Sequence, residues 1–154
     1  MKKQLISLSF LVALLACGPA DKTTADTSGA ASLEKAEKAV FAVHDEAMPR
    51  IDEVMKLKKA LNGKLTALDT IPALTPAQIL RADEQKAQMR QLVTRLTQAD
   101  SLMMDWMANY NGDTLKKLPE AEALRYLTDQ QQRITHAKNK INQSIDQAKT
   151  YLRQ

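Results

Sequence analysis

Apolar residues return at every seventh position from Leu33 through Val40, Ala47, Val54 and Leu61 to Leu68, without a miss. Ala36, Val43, Ile51, Leu57 and Leu65 fill the adjoining positions. A stripe of this period lies along one face of a helix and is buried only by packing against other helices, because a strand would turn alternate residues outward. The pattern therefore sets the fold class as all-α with long helices. Composition agrees: 154 residues hold 4 glycines and 4% aromatics. Many of the rest are Ala, Leu, Lys, Gln and Glu, which lose little rotamer freedom in a helix.

Three helices are predicted, over about 33–68, 76–110 and 119–152. Pro49 falls inside the first and removes a backbone donor, so a kink is expected near Asp45–Met48, with two shorter helices as the alternative. Thr75-Pro76-Ala77-Gln78 is a helix start: a threonine cap, proline at the first helical position and glutamine three residues after the cap. The seams of the second helix are Ala82, Met89, Leu96, Met103, Tyr110 and Leu92, Ala99, Trp106, with a stop at Asn111-Gly112. Pro119 is expected to open the third helix, whose seams are Leu127, Ile134, Ile141, Ala148 and Leu124, Ile145, Leu152, interrupted by Gln131 and Lys138. Short connectors between long amphipathic helices give an antiparallel, up-down-up three-helix bundle. The interruptions leave oligomeric state open.

The first residues follow other rules. Met1-Lys2-Lys3 precedes an apolar run from Leu5 to Ala16, too short for a membrane-crossing helix, which needs about 20 residues. The run closes as Leu14-Leu15-Ala16-Cys17, and Cys17 is the one cysteine of the chain. This ending resembles the lipobox of bacterial lipoproteins. The resemblance implies that residues 1–16 are a cleaved signal and that Cys17 becomes the lipidated first residue. Two or three acyl chains make a stable anchor where one is marginal. Gly18, in place of the aspartate that favours inner-membrane retention in enterobacterial lipoproteins, points to the outer membrane facing the periplasm. Residues 17–32, small and polar after the cysteine, are expected to form a flexible tether. Once Lys2 and Lys3 leave with the signal, the 22 Lys and Arg fall by two against 18 Asp and Glu. The small basic excess, with an envelope address, argues against a nucleic-acid partner. A lipidated Cys17 also leaves no thiol for disulfides or cysteine-bound metal.

Folding the predicted helices about their connectors gathers Phe41, His44, Met48, Met103, Trp106, Met107 and Tyr126 at one end, with His44 near the level of Asp100 and Met103. Imidazole and thioether suit copper(I), which makes His44 with Met48, Met103, Met104 or Met107 candidates for a soft-metal site, His44, Met48 and Met103 foremost. Methionines at helical spacing also simply fill cores. His136 lies among polar residues and no Cys-x-x-Cys-His motif is present, so no haem or other cofactor is expected. Asp45-Glu46 and Asp52-Glu53 alternate with Lys35, Lys38, Arg50 and Lys56, the pattern of a solvated helix face. No glycine-rich loop offers an oxyanion hole beside the two histidines, and an enzyme is not expected.

The stretches His44-Asp45-Glu46-Ala47-Met48-Pro49-Arg50-Ile51, Met103-Met104-Asp105-Trp106-Met107 and Tyr126-Leu127-Thr128 resemble segments of small uncharacterised bacterial lipoproteins of coiled-coil character. Some of these are labelled "viral A-type inclusion protein". The resemblance implies helical structure without an activity, and no functional residue beyond the lipobox cysteine. The resulting expectation is a lipid-anchored envelope module of structural or interaction role. Phe41, Trp106, Met107 and Tyr126 are its interaction candidates towards an envelope protein. A small-ligand or copper carrier based on His44 and nearby methionines is the alternative.

Overall fold

The computed structural model describes residues 22–72 and 75–153, and these are helical with no strand among them. Five helices follow in order: α1 (Lys22–Ala47), α2 (Pro49–Asp69), α3 (Pro76–Asn109), α4 (Gly112–Leu115) and α5 (Glu120–Leu152). Cys17 and residues 1–16, expected as a signal, lie outside the described residues.

The heptad stripe becomes the core. Val40, Ala47, Val54 and Leu61 have no exposed surface, and Leu33, Ile51, Leu65 and Leu68 pack half-buried beside them. They meet Met89, Leu96, Ala99 and Met103 of α3 and Leu127, Ile134, Ile141, Ile145 and Ala148 of α5. Neither interruption of the third seam enters the core: Gln131 is exposed and Lys138 half-buried. Among the described residues, the buried polar ones are Gln130 and Ser144. Ser144 is satisfied within its own helix, its hydroxyl donating to the Ile141 carbonyl at 2.9 Å.

Pro49 interrupts the stripe without ending it. Met48 keeps right-handed helical angles, φ −57° and ψ −42°. Its N–H donates to the His44 carbonyl at 2.9 Å, and its carbonyl accepts from Ile51 N–H at 3.0 Å. Pro49 has no N–H to donate to Asp45, and Ile51 bonds three residues back instead of four, yet α1 and α2 remain one proline-interrupted stave carrying a single apolar face.

Three local expectations change. The segment from Lys22 to Ser32, expected as tether, is helical. Ser32 donates to the Gly29 carbonyl at 2.7 Å, and a side chain at buried Gly29 would collide with the Glu120 carboxylate. Close approach to the start of α5 thus outweighs the modest helix propensity of these small residues. Gly112 does not terminate the preceding helix. Tyr110 ends α3 in an extended conformation, and Asn111 caps α4 by accepting from Thr114 N–H at 2.9 Å. The third, α5, begins at Glu120 with Pro119 as its cap residue, one position later than expected. The Thr75 capping box forms as predicted, with Thr75 accepting from Gln78 N–H and Gln78 Oε1 accepting from Thr75 N–H at 2.9 Å.

Side-chain pairs give the directions of packing. Asp69 meets Lys86 at 2.6 Å and Lys58 meets Asp100 at 3.8 Å, so α2 and α3 run in opposite senses. Arg95 donates to Gln147 at 2.8 Å and Tyr151 to the Gln85 carbonyl at 3.4 Å, the same relation for α3 and α5. Glu46 meets Lys138 at 3.0 Å and Glu53 meets Lys149, which sets the first stave parallel to α5. Because Asp69, the last residue of α2, pairs with Lys86, the first turns of α3 overhang that end and leave Ile79 and Leu80 exposed.

Replacing Ile141, fully buried at the centre of α5, by alanine leaves a cavity and should cost about 2–5 kcal/mol in urea unfolding. Gln131→Ala, on the exposed face, should stay within about 0.5 kcal/mol. Equal effects would contradict this assignment of the core.

Candidate functional site

Four of the chain's six aromatic side chains collect where α1, α3 and the start of α5 meet. The α3 helix carries Trp106 and Tyr110 one turn apart, their ring centroids 5.4 Å from each other. Phe41 of α1 stands edge-on to both, at 6.2 Å from Trp106 and 5.1 Å from Tyr110. Tyr126 of α5 lies 6.1 Å from Tyr110. Edge-to-face and tilted pairs at these distances are the arrangements that aromatic quadrupoles favour.

Polar atoms fix the cluster's rim. Tyr110 donates its hydroxyl proton to Glu37 at 2.8 Å, and Tyr126 accepts from Asn111 N–H at 2.9 Å, tying the α3–α4 connection to α5. Half-burial, then the Glu37 carboxylate bonded to it, hold the Tyr110 phenol well above its ordinary range. The Trp106 indole N–H is buried and meets no acceptor among the described residues.

His44 closes the cluster on the α1 side, its ring centroid 5.6 Å from that of Trp106. Its Nδ1 is 3.0 Å from Asp45 Oδ1 and its Nε2 is 3.4 Å from Met107 Sδ. The expected level of His44, near Asp100 and Met103, is therefore corrected by about one turn along α3. The cause is the overhang of α3 beyond α2, which a symmetrical fold about the connector does not anticipate.

The predicted residues thus separate. Phe41, His44, Trp106, Met107 and Tyr126 come together. Tyr110, read at first only as a seam residue, is the ring that joins them. Its signal was available in sequence, four residues after Trp106 and so one turn along the same face. Met103 is fully buried in the core and Met48 is half-buried at the proline interruption. Trp106 is only 6% exposed, which makes it a support beneath the surface rather than a docking side chain, whereas Phe41 (38%) and Met104 (40%) face outward. On the other side of Trp106, a cleft of about 380 Å³ opens between α3 and α5, lined in part by Asp105, Asn109, Gln130, Arg133 and exposed His136. Arg133 is held there by Asp129 at 2.8 Å.

Among the described residues, no cluster of three or more His, Cys, Asp or Glu side chains is placed to hold a metal, and no helix is long and apolar enough to cross a membrane. No protein-family model, curated protein or solved structure matches the chain.

The Tyr110 shift has a defined sign. The folded phenol keeps its proton above the ordinary value of 10.0, so this contribution to stability is complete below pH 10 and declines as pH rises further. Tyr110→Phe should therefore flatten the fall of melting temperature between about pH 10 and 12. It should also cost about 1 kcal/mol at neutral pH through loss of the Glu37 bond. An alkaline fall as steep as in the parent would contradict the assignment.

Proposed function

We propose that this chain is a lipid-anchored helical module of the bacterial cell envelope with a structural or protein-interaction role and no catalytic activity. Residues 1–16 act as the signal, Cys17 carries the acyl chains, and α1, α2, α3 and α5 form an up-down-up three-helix bundle in which α1 and α2 share one stave. The opposed pairings of α3 with its neighbours support that topology. The lipobox-like ending at Cys17 supports the anchor, and Gly18 supports the outer membrane, facing the periplasm. The likeness of three segments to small coiled-coil lipoproteins agrees with both.

One observation carries the interaction role. The aromatic side chains of the described residues are concentrated in the half of the fold through which the chain enters α1, and Phe41 remains exposed against a buried Trp106. A surface apolar residue backed by a packed aromatic layer loses little entropy on binding, the usual character of an interaction anchor. Its partner in this reading is an envelope protein.

Fractionation with mass spectrometry of the protein from its native envelope tests the anchor. The expected product sits in the membrane pellet, begins at Cys17 and carries a diacylglycerol thioether; Cys17→Ser should move it to the soluble fraction. An intact Met1, or an unmodified Cys17 on membrane-bound protein, would overturn the reading.

A further inference from the structure

The surroundings of His44 pose a problem of donors and acceptors. A neutral imidazole has one N–H, yet both ring nitrogens face acceptors: the Asp45 carboxylate at 3.0 Å and the Met107 thioether at 3.4 Å. The carboxylate is much the stronger acceptor, so the proton belongs on Nδ1. The Nε2 lone pair is then directed at the sulfur lone pairs. Two lone pairs that face each other are reconciled by a cation between them.

We infer that His44 Nε2 and Met107 Sδ form a binding site for a soft monovalent cation, copper(I) by chemistry. With metal–imidazole and metal–sulfur bonds of about 2.0 and 2.3 Å, the observed separation of 3.4 Å corresponds to an angle of roughly 100–110° at the metal. That is a corner of a trigonal or tetrahedral site, and it leaves a position for an incoming donor. Thioether with imidazole selects a soft ion over magnesium or calcium. Asp45 accepts from the far nitrogen of the ring, His44 Nδ1, as carboxylates do behind metal-binding histidines, which sets the tautomer and leaves Nε2 free to ligate. The Trp106 ring lies beside the imidazole, tilted 36° to it with centroids 5.6 Å apart. The donor pair spans α1 and α3, so occupation of the site would also clasp those helices. Neither Met48 nor Met103 is part of it. This site is independent of the anchor and of any protein partner.

Silver(I), a redox-inert stand-in, and copper(I) under anaerobic conditions are the probes, added to the full mature protein. Trp106 is the chain's single tryptophan, so its fluorescence reports on its own surroundings, and variants of His44 and Met107 separate the His44 side from the cleft that holds His136. One equivalent of either ion should saturate the signal, and zinc(II) should leave it unchanged. Met107→Leu, which conserves volume, and His44→Gln should each weaken binding at least tenfold. Asp45→Asn should weaken it less, and Met104→Leu not at all. A protonated His44 would satisfy both acceptors without a metal. In that case silver affinity would be the same in the parent, Met107→Leu and His44→Gln proteins, and that result would overturn the site. A loss of binding confined to Met104→Leu would overturn it as well.

Discussion

The apolar face of α5 is the constraint on which the rest depends. Ile134, Ile141, Ile145 and Ala148 have no exposed surface and Leu127 almost none, and α5 packs against α1, α2 and α3. At about 25 cal/mol per Å² of apolar area, a row of such side chains outweighs any polar contact on the outside of the fold. A single neighbouring helix covers only part of so wide a face. Two staves are needed, which sets α3 antiparallel on one side and the α1–α2 stave on the other.

Cross-helix ion pairs mark the register of that packing more than they hold it. Lys138 with Glu46, Lys149 with Glu53 and Lys86 with Asp69 each include one exposed partner, and such pairs contribute about 1 kcal/mol or less. The direction of their effect is still visible. A hydrogen bond from Lys149 lowers the Glu53 carboxyl and one from Lys86 lowers that of Asp69, each below its ordinary range. What the pairs share is position: they occupy the rim of the core, where a long basic side chain covers apolar surface with its stem and reaches a carboxylate with its head.

Much of this was legible in the sequence because the period of the apolar residues is a direct image of burial. All of the first seam, from Leu33 to Leu68, is buried or half-buried. Thr75, Pro76 and Gln78 announced a helix start by chemistry local to four residues, and that start formed. Local chemistry failed where tertiary contact decides. Nothing in Lys22–Ser32 signals a helix, because Glu120, far along the chain, is what Gly29 and Ser32 meet. Gly112 had the composition of a helix end, yet Asn111 beside it caps a new turn instead. The partner of His44 was misplaced by one turn because an overhang of α3 is a property of two helices together, not of the connector's sequence. For the same reason the thioether that lies beside His44 is that of Met107, while Met103 is buried in the core.

The juxtaposition of His44 with Met107 is where the register of α1 against α3, the aromatic cluster and the proposed cation site meet. Nuclear Overhauser contacts of the Met107 methyl group in the full mature protein measure it directly. The account requires cross-peaks from that methyl to the His44 ring across the helix interface, alongside those expected within α3. Cross-peaks to α3 alone, or to α1 at Val40 or Ile51 in place of His44, would place the helices in another register and contradict it.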